Sequence, residues 1–191
     1  MKKILMAAAL IAALPASALA DNWLMRVRAI QVAPDVGTSP ALPGLDVSKE
    51  WVPEVDFTYF VSPNIGVELI LGTARHEVTL NGASLGKLNH LPPTLTVQYH
   101  FDATPSIKPY VGAGVNYTRF YNVDLPGLSV DRNSFGGALQ AGVDIAITKN
   151  GYLNLDVKKI WIETDVKAGG AKLTTLDIDP LVWGIGYGFR F

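Results

Sequence analysis

From Asn22 to the last residue, hydrophobic and polar positions alternate with a period of two. The closing stretch WGIGYGFRF is the clearest case: Trp183, Ile185, Tyr187, Phe189 and Phe191 fall on one face, and Gly184, Gly186, Gly188 and Arg190 on the other. Roughly eight such segments, rich in aromatic and β-branched residues, predict strands near 22–32, 51–61, 65–77, 93–101, 109–121, 135–147, 151–163 and 176–191. The connections alternate too. Ser62-Pro63-Asn64, DATPSIK and Thr148-Lys149-Asn150 are short, whereas APDVGTSPALPGLDVSKE, TLNGASLGKLNHLPP, NVDLPGLSVDRNS and TDVKAGGAKLTT are longer and rich in turn residues. An even strand number puts both termini and every short turn on one side.

Alternation alone does not say which face is inside. A soluble sandwich buries the apolar face, whereas a membrane barrel turns it to lipid and fills its lumen with the polar one. Three features favour an all-β, eight-stranded antiparallel transmembrane β-barrel with short periplasmic turns and long extracellular loops. First, the polar face is rich in glycine (Gly112, Gly114, Gly136, Gly142, Gly184, Gly186, Gly188), which weakens an exposed strand but leaves room inside a narrow barrel. Second, aromatics on the apolar face bunch at the strand ends. Trp23, Tyr59, Tyr99, Phe101, Tyr152, Phe189 and Phe191 lie towards the short turns, and Trp51, Tyr117, Phe135, Trp161 and Trp183 towards the long loops. Third, each segment is long enough to cross a bilayer at the usual tilt.

The start of the chain agrees with export. Met1-Lys2-Lys3 is basic, Ile4 to Leu14 is apolar, and Pro15 precedes the small-x-small stretch Ala18-Leu19-Ala20. Residues 1–20 are expected to be a cleaved signal peptide, leaving 21–191 as one barrel domain in a bacterial outer membrane. Beyond Lys3 the charge is slightly acidic, with no basic tract, so no nucleic-acid partner is expected. Cysteine is absent, which removes disulfides and thiolate chemistry.

The inward parity carries Arg26, Arg28, Glu54, Asp56, Glu68, Asp144, Asp156, Lys158 and Arg190, with His76 and His100. Charges in so narrow a space must pair. Arg26, Glu68, Asp144, Asp156 and Arg190, with His100, fall in the periplasmic half and are expected to form a charged plug. Towards the long loops the same parity brings Ile30, Val32, Val52, Ile70, Phe120, Ile160, Ile162, Ile178 and Val182. An apolar pocket above a charged plug suits a hydrophobic guest better than water. Packing of these side chains against each other is the plainer alternative.

Four stretches in order, NIGVELILG (64–72), HLPPTLTVQYHF (90–101), KPYVGAGVNYTRF (108–120) and DIDPLVWGIGYGFRF (177–191), resemble the OmpW family of outer-membrane proteins, which includes the AlkL-type alkane-uptake proteins. The resemblance implies an eight-stranded barrel with a hydrophobic, dead-ended channel for passive uptake of small apolar molecules, released sideways through the wall. His90-Leu91-Pro92-Pro93 is the candidate for that lateral exit, because neither Pro92 nor Pro93 can donate to the ladder. Lys158 would either narrow the passage or join the plug through Asp156.

The ending also resembles the C-terminal signal of outer-membrane proteins, so the assembly machinery is an expected partner through Phe191, alongside outer-membrane lipid and small hydrophobic solutes. The barrel is expected to be a monomer. The three histidines, His76, His90 and His100, form no motif with a serine and lack metal-ligand spacing. Neither an enzyme nor a cofactor or metal site is expected. The competing function is a structural or surface-recognition barrel without transport.

Overall fold

The computed structural model describes residues 22–191; the expected signal peptide lies outside the described residues. The regular structure described is entirely β-strand. In chain order the strands are β1 (Trp23–Ala33), β2 (Gly37–Ser39), β3 (Leu45–Val47), β4 (Glu50–Phe60), β5 (Ile65–Gly72), β6 (Ala74–Leu80), β7 (Ala83–Leu91) and β8 (Thr94–His100). There follow β9 (Ile107–Asp124), β10 (Leu128–Val130), β11 (Asn133–Ala146), β12 (Gly151–Ile160), β13 (Glu163–Ala168), β14 (Ala171–Asp177) and β15 (Leu181–Arg190).

Eight of these form a closed antiparallel barrel in the order β1-β4-β5-β8-β9-β11-β12-β15, with β15 returning to β1. The closing seam runs in unbroken register from Leu24↔Arg190 to Ala33↔Leu181. Phe191 itself is tied into it, donating its N–H to Trp23 O at 2.9 Å and accepting from Trp23 N at 3.0 Å.

The burial pattern is inverted relative to a soluble protein. On the outer face Val97, Val115 and Leu139 are more than half exposed, while Arg26, Asp56 and Glu68 inside have no exposure at all. This excludes the sandwich, because exposed branched residues alternating with buried charges require an apolar solvent outside. The two aromatic belts are in place. Trp23 packs on Tyr59 and Tyr99 on Phe101 at the rim of short turns, and Trp51 on Trp183 and Tyr117 on Phe135 at the other, with centroids 4.8–5.0 Å apart.

Inward glycines make room for the charged side chains. A Cβ at Gly186 would lie 2.6 Å from Arg28 Cγ, and one at Gly142 would lie 2.4 Å from the Tyr110 hydroxyl.

The long extracellular segments are strands rather than loose loops. β6 and β7 pair beyond the barrel, with β3 on the outer side of β6 and β7 on the upper part of β9; β10, β13, β14 and β2 form a second sheet. The alternation continues into them: Val47, Val78, Leu88, Leu125, Val130 and Leu176 are buried and extend the apolar core upward. Asn81-Gly82 and Gly169-Gly170, all at positive φ, supply the tight hairpin turns.

Candidate functional site

The lumen is built in two storeys. The lower one is a continuous ion-pair and hydrogen-bond network. Arg26 on β1 bonds Asp144 through both Nε (3.1 Å) and Nη2 (2.7 Å), and Asp56 and Glu68 through Nη1 at 3.0 and 3.2 Å. Arg28, one turn of the pleat higher, meets Asp56, Glu68 at 2.9 Å, Glu54 at 3.2 Å and Asp156 at 3.1 Å. Lys158 joins this network through Glu54 at 2.7 Å and Asp156 at 2.8 Å, so it belongs to the lower storey and not to the apolar passage. Charges this deeply buried persist only with such dense compensation.

Neutral groups complete the set. Glu68 accepts from Gln98 Nε2 (2.7 Å) and Thr96 Oγ1 (3.1 Å); Asp156 accepts from Tyr110 OH (2.6 Å) and Gln140 Nε2 (2.8 Å); Asp144 accepts from Asn154 Nδ2 (2.9 Å). Reading for charge overlooks Tyr110, Gln98, Gln140 and Asn154. All four share the inward parity, which was the available signal. Of the charged residues expected in the plug, Arg26, Glu68, Asp144 and Asp156 meet in the network. Arg190 sits half-buried at the periplasmic mouth, its guanidinium carbon 4.3 Å from the Phe60 ring centroid. His100 lies between them, its ring stacked on Tyr110 at 4.9 Å and its Nδ1 4.0 Å from Asp144.

The upper storey is apolar. Ile30, Val32, Ile70, Phe120, Ile160, Ile162, Ile178 and Val182 are at most 5% exposed, and Val52 is half-buried beside them. Ile30, Val32, Val52, Ile70, Ile160, Ile162 and Val182 line a cavity of about 30 Å³, with Glu54 among its lining residues. Phe120 and Ile178 pack in the surrounding core.

That cavity reaches the wall at one place: Gly72, Thr73, His90 and Pro92 also line it. The β5–β8 ladder ends at Ile70↔Thr94, and β6–β7 pairing resumes at Ala74↔His90. Between them residues 71–73 and 91–93 are unpaired across the seam, although the two ladders share one register. On the other side Pro92 and Pro93 are held to β9: Asn116 Nδ2 donates to Pro92 O (3.2 Å) and Tyr117 N to Pro93 O (3.0 Å). The interruption is therefore confined to a single seam, between β5 and β8.

Above it, His76 and His90 face each other with centroids 4.8 Å apart. Burial lowers His90 to about 3, with a further push from His76, and burial likewise lowers His76. Both are neutral. Among the described residues no group of three or more metal-binding side chains comes together.

A closed strand barrel with a lipid-facing apolar band, two aromatic girdles and a filled polar lumen is an outer-membrane β-barrel. The chain belongs to the OmpW family, whose model matches residues 20–191. It is 36% identical over 190 residues to outer membrane protein W of Escherichia coli, covering 90% of this chain and 89% of that one. Among solved structures, the crystal structure of the outer membrane protein OprG from Pseudomonas aeruginosa matches with a TM-score of 0.77 at 30% identity, covering 89% and 95% of the two chains. A more distant relative, 28% identical over 190 residues with 88% of each chain covered, is the dibenzothiophene metabolism operon protein PahQ of Pseudomonas aeruginosa.

Proposed function

We propose that this outer-membrane barrel is a passive uptake path for small hydrophobic molecules, which enter the apolar upper lumen and leave sideways into the membrane between β5 and β8. The observation that carries the reading is the coincidence of two features: the apolar cavity bordered by Ile70 and Ile162 is also bordered by Gly72 and Thr73, unpaired on their β8 side, and by Pro92. The ionic storey beneath blocks the axial route, so a guest that has shed its water has only the seam to leave by. At about 30 Å³ the cavity holds little more than a water, so passage requires the seam to spread. The name of the relative PahQ, which places it with the metabolism of an apolar aromatic, points the same way. In this reading residues 1–20 direct export and are removed.

The test uses proteoliposomes and two solutes, one small and apolar, one a polar compound that does not use the path. Ile70→Asp or Ile162→Asp should slow apolar uptake while the unboiled barrel keeps its mobility on a denaturing gel. Pro92→Val with Pro93→Thr should do the same by letting the seam zip. Uptake unchanged in both folded variants would reduce the cavity to packing and favour a surface-recognition barrel. Steady ion conductance should be negligible in planar bilayers; a large stable conductance would show an open axis.

A further inference from the structure

We propose that the outer wall beside the β7–β9 seam, just above the upper aromatic belt, is a binding site for the phosphorylated glucosamine headgroup of lipid A. Arg119 is its centre. Tyr117, two residues below on β9, is a belt aromatic, and the strand rise puts Arg119 about 7 Å further out along the chain. That is the depth at which hydrocarbon gives way to headgroup. Arg119 is held there rather than left to wander: its Nη1 donates to Asn133 Oδ1 at 2.8 Å, and the Tyr117 hydroxyl donates to the same oxygen at 2.8 Å. One nitrogen is used on a neutral partner, and the rest of the fork remains for an anion.

Two further cations lie on this wall, Arg75 and Lys87. Register places Arg75 on β6 opposite Asn89 and Asn89 opposite Tyr121 on β9, one row above the row of Leu91, Arg119 and Asn133. Lys87 stands one row above Asn89 on the same outward face of β7, whereas Arg132, opposite Phe120, has the inward parity. Arg75, Lys87 and Arg119 are all exposed. Phe135, directly below, is 77% exposed and Leu91, level with Arg119, 38%, an apolar footing for acyl chains.

The rest of the extracellular side is partly compensated. There Lys159 pairs with Asp35 at 3.2 Å, Lys172 with Asp165 at 2.7 Å, and Lys167 with Asp131, whereas among the described residues Lys49 and Arg132 have no carboxylate within 4.0 Å. Among the described residues none of Arg75, Lys87 and Arg119 has a carboxylate within 4.0 Å. Two guanidiniums and an ammonium without a carboxylate neighbour, beside a leaflet of phosphorylated lipid, have the lipid phosphates as counter-charge. Because β7 ends at Leu91, next to Pro92, a lipid A held here also stands beside the outer mouth of the interrupted seam.

The experiment is native mass spectrometry of the purified barrel titrated in detergent with bisphosphorylated lipid A, its dephosphorylated counterpart, and phosphatidylglycerol. The expected result is preferential retention of bisphosphorylated lipid A. The triple variant Arg75→Gln, Lys87→Gln, Arg119→Gln should weaken it by about tenfold or more, and Arg119→Gln alone by about threefold. A control with Lys159→Gln, Lys167→Gln and Lys172→Gln removes equal charge from the paired positions and should change retention by less than about twofold. Equal retention by wild type and the triple variant overturns the proposal. So does equal loss in the lysine control, or retention of phosphatidylglycerol as strong as that of lipid A, since either means bulk attraction. The assay contains no solute, so its outcome is independent of the transport reading.

Discussion

The two storeys of the lumen share walls, strands and parity, yet they are held together by opposite physics. Below, Arg26, Arg28 and Lys158 form an ionic lattice with five carboxylates. Above, Ile30, Ile160, Ile162 and Val182 touch through dispersion and the exclusion of water. The lattice is directional: every charge is placed by its partners, and removing one leaves the others stranded. The apolar storey is non-directional, so it can give way locally and close again. A path for an apolar guest belongs in the second kind of material, and a seal against ions in the first.

The sharpest way to break this contrast is to remove a charge from the lattice. Arg26→Ala or Glu68→Ala should cost on the order of 3–5 kcal/mol, since the partners stay buried and unpaired. Urea unfolding of the barrel in lipid vesicles measures it. Ile162→Ala in the upper storey should cost less, about 2 kcal/mol, at the lower end for large-to-small core changes because this storey can collapse.

A third difference lies above both. The His76–His90 pair is neutral in the fold because burial depresses both groups, His90 to about 3 against an ordinary 6.5. Below pH 6.5 the unfolded segment takes up protons that the folded one refuses. The stability of the β6–β7 hairpin is therefore complete above that pH and is lost progressively as pH falls towards 3. Hydrogen exchange of residues 83–91 should show loss of protection on acidification before residues 181–190 change, and His90→Phe should flatten the dependence. The smallest effect is expected at Arg190. Half-buried over Phe60, its change to Gln should cost about 1 kcal/mol or less, against several for Arg26.

That last comparison marks where reading the sequence stops. Alternation reports the side of the sheet, so the inward positions of Arg26, Glu68, Asp144 and Asp156 and the belts of Trp51, Trp183, Tyr99 and Phe101 were legible. Depth and partnership were not. Arg190 shares the parity of Arg26 but stands at the barrel mouth, and parity cannot separate the two. Arg26 and Asp144 are 118 residues apart, and their meeting depends on the registers of three intervening ladders. Tyr110 was passed over because aromatics were read as outward anchors. The hairpin β6–β7 was read as turn-rich sequence, although Asn81-Gly82 between alternating runs was a hairpin signal in plain view. The short strands β2, β3 and β10 have three residues each, too few for a period to register.

The three inward glycines of β15 have a consequence for assembly. Gly184, Gly186 and Gly188 stand between Ile30, Arg28 and Arg26 on one side and Asp156, Asn154 and Tyr152 on the other. Over that stretch the strand is a smooth rail: it carries no inward knob that must find a hole. Docked between β1 and β12, such a rail could slide by two residues without a steric collision inside. What stops it lies at its two ends, because Val182 fits the apolar storey and Arg190 the mouth over Phe60 only when the rail lies in its observed register. These two side chains thus work as detents, clicking into place when the two ends of the chain meet.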